Sequence, residues 1–253
     1  MSKLISIVTP CYNCEDTIHR TFSSIISQSY TNFEWIIVDD GSSDNTLNNL
    51  YEFASKDSRI NVYVNKGIKG PGGARNFGLK KIQSKIVTFL DADDEWDENF
   101  LEEMVPTVHD KPSISFSGFR IKRNNKFYDF IPKKIITSED ILRGSDISNV
   151  TAIYNFGSDI EVAEFGNIRA RNDLVFMLNS IDRIGYATPV PKVLATYYVS
   201  ENSISSNKIK LIYWQYYISR VRGKSIPKSI YNVIAWALYG IKKHYFRKER
   251  YKI

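Results

Sequence analysis

The 253-residue chain reads as an α/β protein: a mostly parallel sheet flanked by helices, with a C-terminal helical extension. Three observations predict this. Over the first 118 residues, short β-rich apolar runs alternate with stretches of helical periodicity, the pattern of βαβ units. Three of those runs stop abruptly, at Thr9-Pro10, at Asp39-Asp40-Gly41 and at Asp91-Ala92-Asp93-Asp94. After Ser206 the composition turns to Tyr, Trp, Lys and Arg, which marks a boundary. We therefore divide the chain into residues 1–206, with halves 1–118 and 119–206, and a basic aromatic tail at 207–253.

Taken in order, LISIVT (residues 4–9) is a buried strand ended by Pro10. Ile18, Phe22, Ile25 and Ile26 recur at helical spacing, and FEWIIV (33–38) is a second strand. Asp44 is placed to cap a helix running through Leu47, Leu50, Tyr51 and Ala54, before a third strand at 59–64. A glycine-rich loop at 67–73 precedes a helix at 74–82, and KIVTFL (85–90) is the fourth strand. A helix at 99–108 and a strand at 113–118 complete the regular part. Residues 119–151 show only short polar strands, one broken by Pro132. A helix at 169–180 and a strand at 190–198 follow.

Hydrophobic content of 43% and charged content of 25% are ordinary for a globular protein. No run of about 18 apolar residues predicts a transmembrane helix. The opening MSKLISIVTP enters a strand pattern without a charged-then-apolar leader, so a cytoplasmic location is expected. Cys11 and Cys14 form a lone C-x-x-C, which reads as two reduced thiols in a loop, or else as a redox pair or half a metal site.

Ligands of open α/β sheets bind outside the carboxyl ends of the strands. Carboxylates gathered there, as in Asp91, Asp93 and Asp94, repel one another unless a cation joins them. A hard divalent metal, Mn²⁺ or Mg²⁺, held by Asp93 and Asp94 would bridge them to an anionic diphosphate. The alternative is that these acids cap turns. The Gly70-Pro71-Gly72-Gly73-Ala74-Arg75 segment either brings backbone N–H groups and Arg75 toward a phosphate or serves as plain turn chemistry. Asp173, after Asn172, opens a helix and is either a first-turn acid or a general base.

The segments SIVTPCYN (6–13), IIVDDGSSD (36–44), GGARNFGL (72–79) and FLDADD (89–94) stand in register. Together they resemble the family 2 glycosyltransferases of the GT-A (Rossmann-like) fold found in bacterial polysaccharide and lipopolysaccharide synthesis. The likeness continues more faintly through NDLVFML (172–178) and residues 198–205. It implies a nucleotide-sugar donor, expected to be UDP-linked, and a glycan or polyprenyl-linked acceptor. Thr9, Pro10 and Tyr12 match residues around the base, Asp40 matches an acid that bonds the base, and Arg75 matches a basic residue near the nucleotide. Asp91 and Asp93 match the D-x-D motif, with Asp94 adjacent, and Asp173 matches the catalytic base of an inverting displacement. Asn172 stands where the family commonly has Glu. A catalytically degenerate member that only binds nucleotide-sugar or glycan is the competing reading. The glycine-rich signature of nucleotidyltransferases is absent.

The tail carries 12 Lys/Arg and one Glu, a charge of +11, against 22 basic and 27 acidic residues elsewhere, a charge of −5. Ile230, Ile234, Ala237, Leu238, Ile241 and Tyr245 form an apolar stripe beside Lys242, Lys243, Arg247, Lys248 and Arg250. Such a helix either lies in a membrane interface or packs its stripe on the domain or a second subunit. Nucleic acid is not expected, because no nucleic-acid module is present and the body is acidic.

Overall fold

The computed structural model describes residues 2–123, 126–145, 147–168, 171–198 and 208–249. Strands β1 (Ile5–Cys11), β2 (Phe33–Asp39), β3 (Ile60–Val64) and β4 (Ile86–Phe89) alternate with helices α1 (Ile18–Ile26), α2 (Thr46–Lys56) and α3 (Pro71–Leu79). Then come β5 (Glu95–Trp96), α4 (Phe100–Met104), β6 (Ser113–Arg123), β7 (Lys126–Phe130), α5 (Ser138–Arg143) and β8 (Ala152–Asn155). The chain continues with α6 (Asn172–Ile184), β9 (Ala187–Tyr198), α7 (Lys208–Val221) and α8 (Ile226–Glu249).

These strands form one sheet in the order β3-β2-β1-β4-β8-β6-β9-β5, with β7 paired to β6. β3, β2, β1 and β4 are parallel, as the alternation of strand and helix predicts. Beyond β4 the sheet is mixed, because the four-residue β8 inserts antiparallel between β4 and β6. β9 is parallel to β6. Two reversals restore the direction, so β6 and β9 end on the same rim as β1, β2 and β4. Strand order reverses between β1 and β4, and that switch point opens the crevice where such sheets bind ligands.

Apolar residues cover both faces. Ile5, Ile7, Trp35 and Ile37 point into one core, shared with α1, α2 and α4. Val8, Ile36, Val38 and Phe89 point into the other, where Phe176 and Leu178 of α6 meet them. Helix α3 lies close on β1 because Gly78 has no side chain. A Cβ there would stand 2.6 Å from Val8 Cγ1 and 3.2 Å from Val38 Cγ2.

Several local readings change. Helix α3 starts at Pro71 rather than Ala74, since proline suits the first helical position, so Gly72 and Gly73 are in its first turn and not in a loop. The cap of α2 is Asn45, while Asp44 accepts from the Thr46 N–H at 3.0 Å and the Glu15 N–H at 3.1 Å. It ties the helix start to the loop after β1. The stretch read as irregular contains α5, which opens with a capping box between Thr137 and Asp140. Cys11 is buried and Cys14 partly so, both as free thiols.

Helix α7 and the turn after it dock on α5 and α6 through Ile218, buried in the second core, and through polar contacts. Gln215 Nε2 donates to the Leu142 carbonyl at 2.6 Å, Arg222 pairs with Asp182, and Lys224 meets Glu139 at 2.6 Å. Among the described residues no helix is long and apolar enough to cross a membrane.

Gly78→Ala tests the α3 contact. The added methyl forces Val8 or the helix to move, at a cost of about 1–3 kcal/mol. We expect the urea midpoint to fall with an unchanged slope; an unaltered midpoint would show that α3 does not rest on β1.

Candidate active site

The rim of the crevice is built from turns that hydrogen-bond one another. Asp39, buried at the end of β2, accepts from the Gly41 N–H at 3.0 Å and the Ser42 hydroxyl at 2.5 Å. Asn13, in the left-handed region at φ 46°, donates its N–H to Ser42 Oγ at 2.9 Å and accepts from the Ser43 N–H at 2.8 Å. The loops after β1 and β2 are thereby locked together. Asp40 accepts from Asn65 Nδ2 and from the Gly70 N–H, both at 2.6 Å, and so holds the 65–70 loop across the end of β2. Gly73 must be a glycine here, for a Cβ would fall 1.9 Å from the Ile68 carbonyl oxygen.

The residues expected around a nucleotide base are placed differently from one another. Tyr12 is 62% exposed at the end of β1, and Pro10 is half-buried beside it. Thr9 is fully buried, and its hydroxyl accepts from the Trp35 indole N–H at 2.9 Å. Strand alternation puts it on the same face as Ile5 and Ile7, so the hydroxyl serves the core and only the backbone of Thr9 faces the rim.

After β4 the chain makes a tight turn, closed by the Asp94 N–H donating to the Asp91 carbonyl at 3.1 Å. Helix α1 clamps it: Thr21 Oγ1 donates to the Asp94 carbonyl at 2.8 Å and Arg20 donates to the Asp93 carbonyl. Burial, and then the charge of Asp91, push the Asp93 carboxyl up. Asp94 is pushed well up by burial and by Asp93 and Asp91. One Asp94 oxygen accepts from the Tyr198 N–H at 3.0 Å, while the buried Oδ2 has no hydrogen-bond partner. Crowded carboxylates and an orphaned buried oxygen are the donor chemistry of a hard divalent cation. Among the described residues, however, no three acidic, His or Cys side chains are arranged to hold a metal. The residues fit a cation completed by substrate oxygens, as Mg²⁺ sites with one or two carboxylates are.

Arg75 is the group that joins the parts. Its side chain is 8% exposed; it pairs with Asp91 and donates from Nη1 to Asn172 Oδ1 at 3.2 Å. A single guanidinium thus connects α3, the acidic turn and the first residue of α6. Asp173 follows Asn172 and is exposed in the first turn of α6, whose preceding residue Arg171 is left-handed at φ 63°. Tyr197, next to Tyr198 near the end of β9, is half-buried. Tyr197 is pushed up by burial and by the charges of Asp94, Asp93, Asp91 and Asp173.

Three residues absent from the expected set therefore belong to this rim: Arg20, Tyr197 and Tyr198. The Tyr198 ring lies 3.5 Å from the Arg20 guanidinium and 5.1 Å from Lys122 Nζ, and its hydroxyl donates to Glu95 at 2.7 Å. Burial and that hydrogen bond push it up to about 12. Tyr198 heads the faint segment at 198–205, and residues 199–205 of that segment lie outside the described ones. Nothing in the local sequence around Arg20 signals its place, since it reaches the acidic turn from 73 residues away.

Comparison with known proteins agrees with this geometry. The family model for glycosyl transferase family 2 matches residues 6–163. The chain is 32% identical over 246 residues to the UDP-Glc:alpha-D-GlcNAc-diphosphoundecaprenol beta-1,3-glucosyltransferase WfgD of Escherichia coli, covering 96% of each chain. It is 30% identical over 247 residues to the putative teichuronic acid biosynthesis glycosyltransferase TuaG of Bacillus subtilis (strain 168), covering 95% of this chain and 97% of the relative. Among solved structures, S. aureus TarS 1-349 in complex with UDP-GlcNAc superposes with TM-score 0.68 at 18% identity, over 92% of this chain and 71% of that one. The chain spans 43% of a longer TarS crystal structure. The mannosyltransferase PcManGT of Pyrobaculum calidifontis, solved with GDP-Man and Mn²⁺, gives TM-score 0.67 at 18% identity, over 94% and 70%. With its acidic turn at the switch point of the sheet and relatives matching nearly end to end, the chain belongs to glycosyl transferase family 2 and is a glycosyltransferase of GT-A fold.

Proposed function

We propose that this glycosyltransferase moves a sugar from a UDP-sugar to a hydroxyl of a lipid-linked glycan, with inversion at the anomeric carbon, in the synthesis of a cell-surface polysaccharide. The observation that carries the reading is the Arg75 bridge, which ties the acidic turn to the helix bearing Asp173. A donor diphosphate at the turn and an acceptor hydroxyl at α6 are then neighbours. Relatives named for a UDP-Glc donor and a diphosphoundecaprenol-linked acceptor supply the substrate classes.

In this reading Asp173 accepts the proton of the acceptor hydroxyl as that oxygen attacks the anomeric carbon and the bond to the diphosphate breaks. Its exposure in the first turn of α6 leaves it open to an incoming hydroxyl. Exposed Tyr12 offers a ring face for the base, and Asp40, at the end of β2, retains lone pairs for it. Asp93, with Asp94 beneath it, would hold a Mn²⁺ or Mg²⁺ ion. Such an ion supplies Lewis-acid stabilisation of the departing UDP. Arg75 fixes Asp91 and Asn172 and so sets the spacing between the turn and the base.

UDP release from a panel of UDP-sugars, with a polyprenyl-diphosphate-linked sugar as acceptor, tests the proposal. We expect one donor to turn over, EDTA to stop it, and Asp173→Asn to lower kcat by about 10²–10⁴-fold while UDP binding persists. Binding without turnover under all conditions would favour the degenerate binder; full activity of Asp173→Asn would remove that residue from the mechanism. Arg75→Lys keeps the charge but cannot span two acceptors. It should lower kcat on the order of 10–100-fold with little change in UDP affinity. An equal fall in affinity would place Arg75 on the nucleotide instead.

A further inference from the structure

The tail helix is built inside out. The fully buried residues of α8 are polar: Ser229 and Asn232, the latter donating from Nδ2 to Ser219 Oγ of α7 at 3.1 Å. Further along the same face, Trp236 lies 5.0 Å from the Arg171 guanidinium, and Tyr239 packs on Gly144, where a Cβ would stand 2.6 Å from its ring. Lys228 reaches Glu139 of α5 at 3.6 Å. The isoleucines and the leucine point the other way, while Val233 is half-buried. Ile226, Ile230, Ile234, Leu238 and Ile241 recur at intervals of four, four, four and three, in one line along α8, and are 49–66% exposed. Helix α7, packed beside α8, exposes Tyr213, Tyr217 and Val221 as well. The docking of α8 on the domain therefore does not use the stripe.

We propose that this stripe seats the enzyme in the interfacial zone of an anionic lipid bilayer, with α8 lying parallel to the membrane plane. Charge selects this occupant. The stripe runs into the segment 242–252, which holds six Lys/Arg and one Glu, on a tail of +11 attached to a body of −5. An anionic surface attracts the tail and repels the body, so it turns the stripe toward the lipid. Isoleucine and leucine flanked by tyrosine and basic side chains are what a helix lying in the interface presents, and no described helix is apolar enough to cross. The opposite face of α8 holds Trp236 under Arg171, two residues before Asp173. The surroundings of the base are therefore about one helix diameter, ~10 Å, from the lipid surface. That spacing suits an acceptor whose diphosphate lies among the headgroups; this last point rests on the function proposed above, whereas membrane seating does not.

Flotation of the purified full chain with vesicles tests the proposal, using phosphatidylcholine alone and phosphatidylcholine with 30% phosphatidylglycerol as about the anionic fraction needed for a clear contrast. The comparison variant is Ile230→Ser/Ile234→Ser/Leu238→Ser, whose melting temperature and UDP binding are checked first, since the three side chains are exposed and should leave the fold intact. We expect the wild type to float with the anionic vesicles, less so at high salt, and the variant to bind at least about tenfold more weakly. No binding by the wild type, or equal binding by the variant, overturns the proposal. So does a wild-type dimer in light scattering that the variant converts to monomer, because the stripe would then be a face between two copies. Neither readout needs a sugar donor, so failure here and failure of the transferase reading are separate results.

Discussion

The site depends on one buried cation. Arg75 sits 8% exposed between Asp91 and Asn172, with its Nε lacking a partner. Removing a charge from water is costly unless an opposite charge and further acceptors receive it. Asp91 provides the charge and the Asn172 amide oxygen the second acceptor. This works only because α3 lies very close to its neighbours. Gly72 leaves room for Asn172, whose Cβ would be 3.0 Å from an added methyl, and Gly78 lets the helix rest on Val8. Gly72 and Gly78 are thus packing residues that bring a guanidinium to the acidic turn.

The rest of the rim can be understood as control of negative charge. Asp39 and Asp40 stand at the end of β2 and Asp91, Asp93 and Asp94 after β4, on one rim of the sheet, and their charge is handled in three ways. Asp39 and Asp40 satisfy backbone and side-chain donors and fix loops. Asp91 is paired with Arg75. Asp93 and Asp94 have no cation paired directly to their carboxylates in the described contacts, and burial with mutual repulsion pushes both up. The turn is held by its carbonyls instead, through Arg20 and Thr21. Backbone clamping leaves Asp94 Oδ2 without a hydrogen-bond partner.

How much of this was legible follows from the range of the interactions. The parallel half was readable, because each strand run and each helical period is local and ends in a Pro, Gly or Asp signal. Strand β8 was not: four wholly buried residues carry no periodicity. Helix α5 did carry a signal in its Thr137–Asp140 capping box, overlooked among polar neighbours. Within the site, the chemical types at Asp40, Arg75, Asp91, Asp93 and Asp173 were visible, but their partners are not local. The Arg75–Asn172 bond spans 97 residues, and Tyr198 joins Asp94 across 104. Thr9 shows the converse: its parity with Ile5 and Ile7 already placed its hydroxyl in the core. For the tail, periodicity revealed a stripe, yet period alone cannot say which side of a helix meets the protein.

Asn172 repays a closer look, since a carboxylate is common at that position in the resembling family. In this chain its amide oxygen accepts from Arg75, while the charge of Arg75 is met by Asp91. A glutamate would give the guanidinium two carboxylates and add a second negative charge beside Asp173 in the first turn of α6. Here Asp173 is the one acid in that turn. Burial lowers the neighbouring Arg171 guanidinium, while the charge of Asp173 raises it. A neutral hydrogen-bonding residue therefore preserves the bridge and leaves Asp173 without a like-charged neighbour in the first turn of α6. Asparagine at this position changes how the bridge is balanced electrically and keeps the connection between the acidic turn and α6.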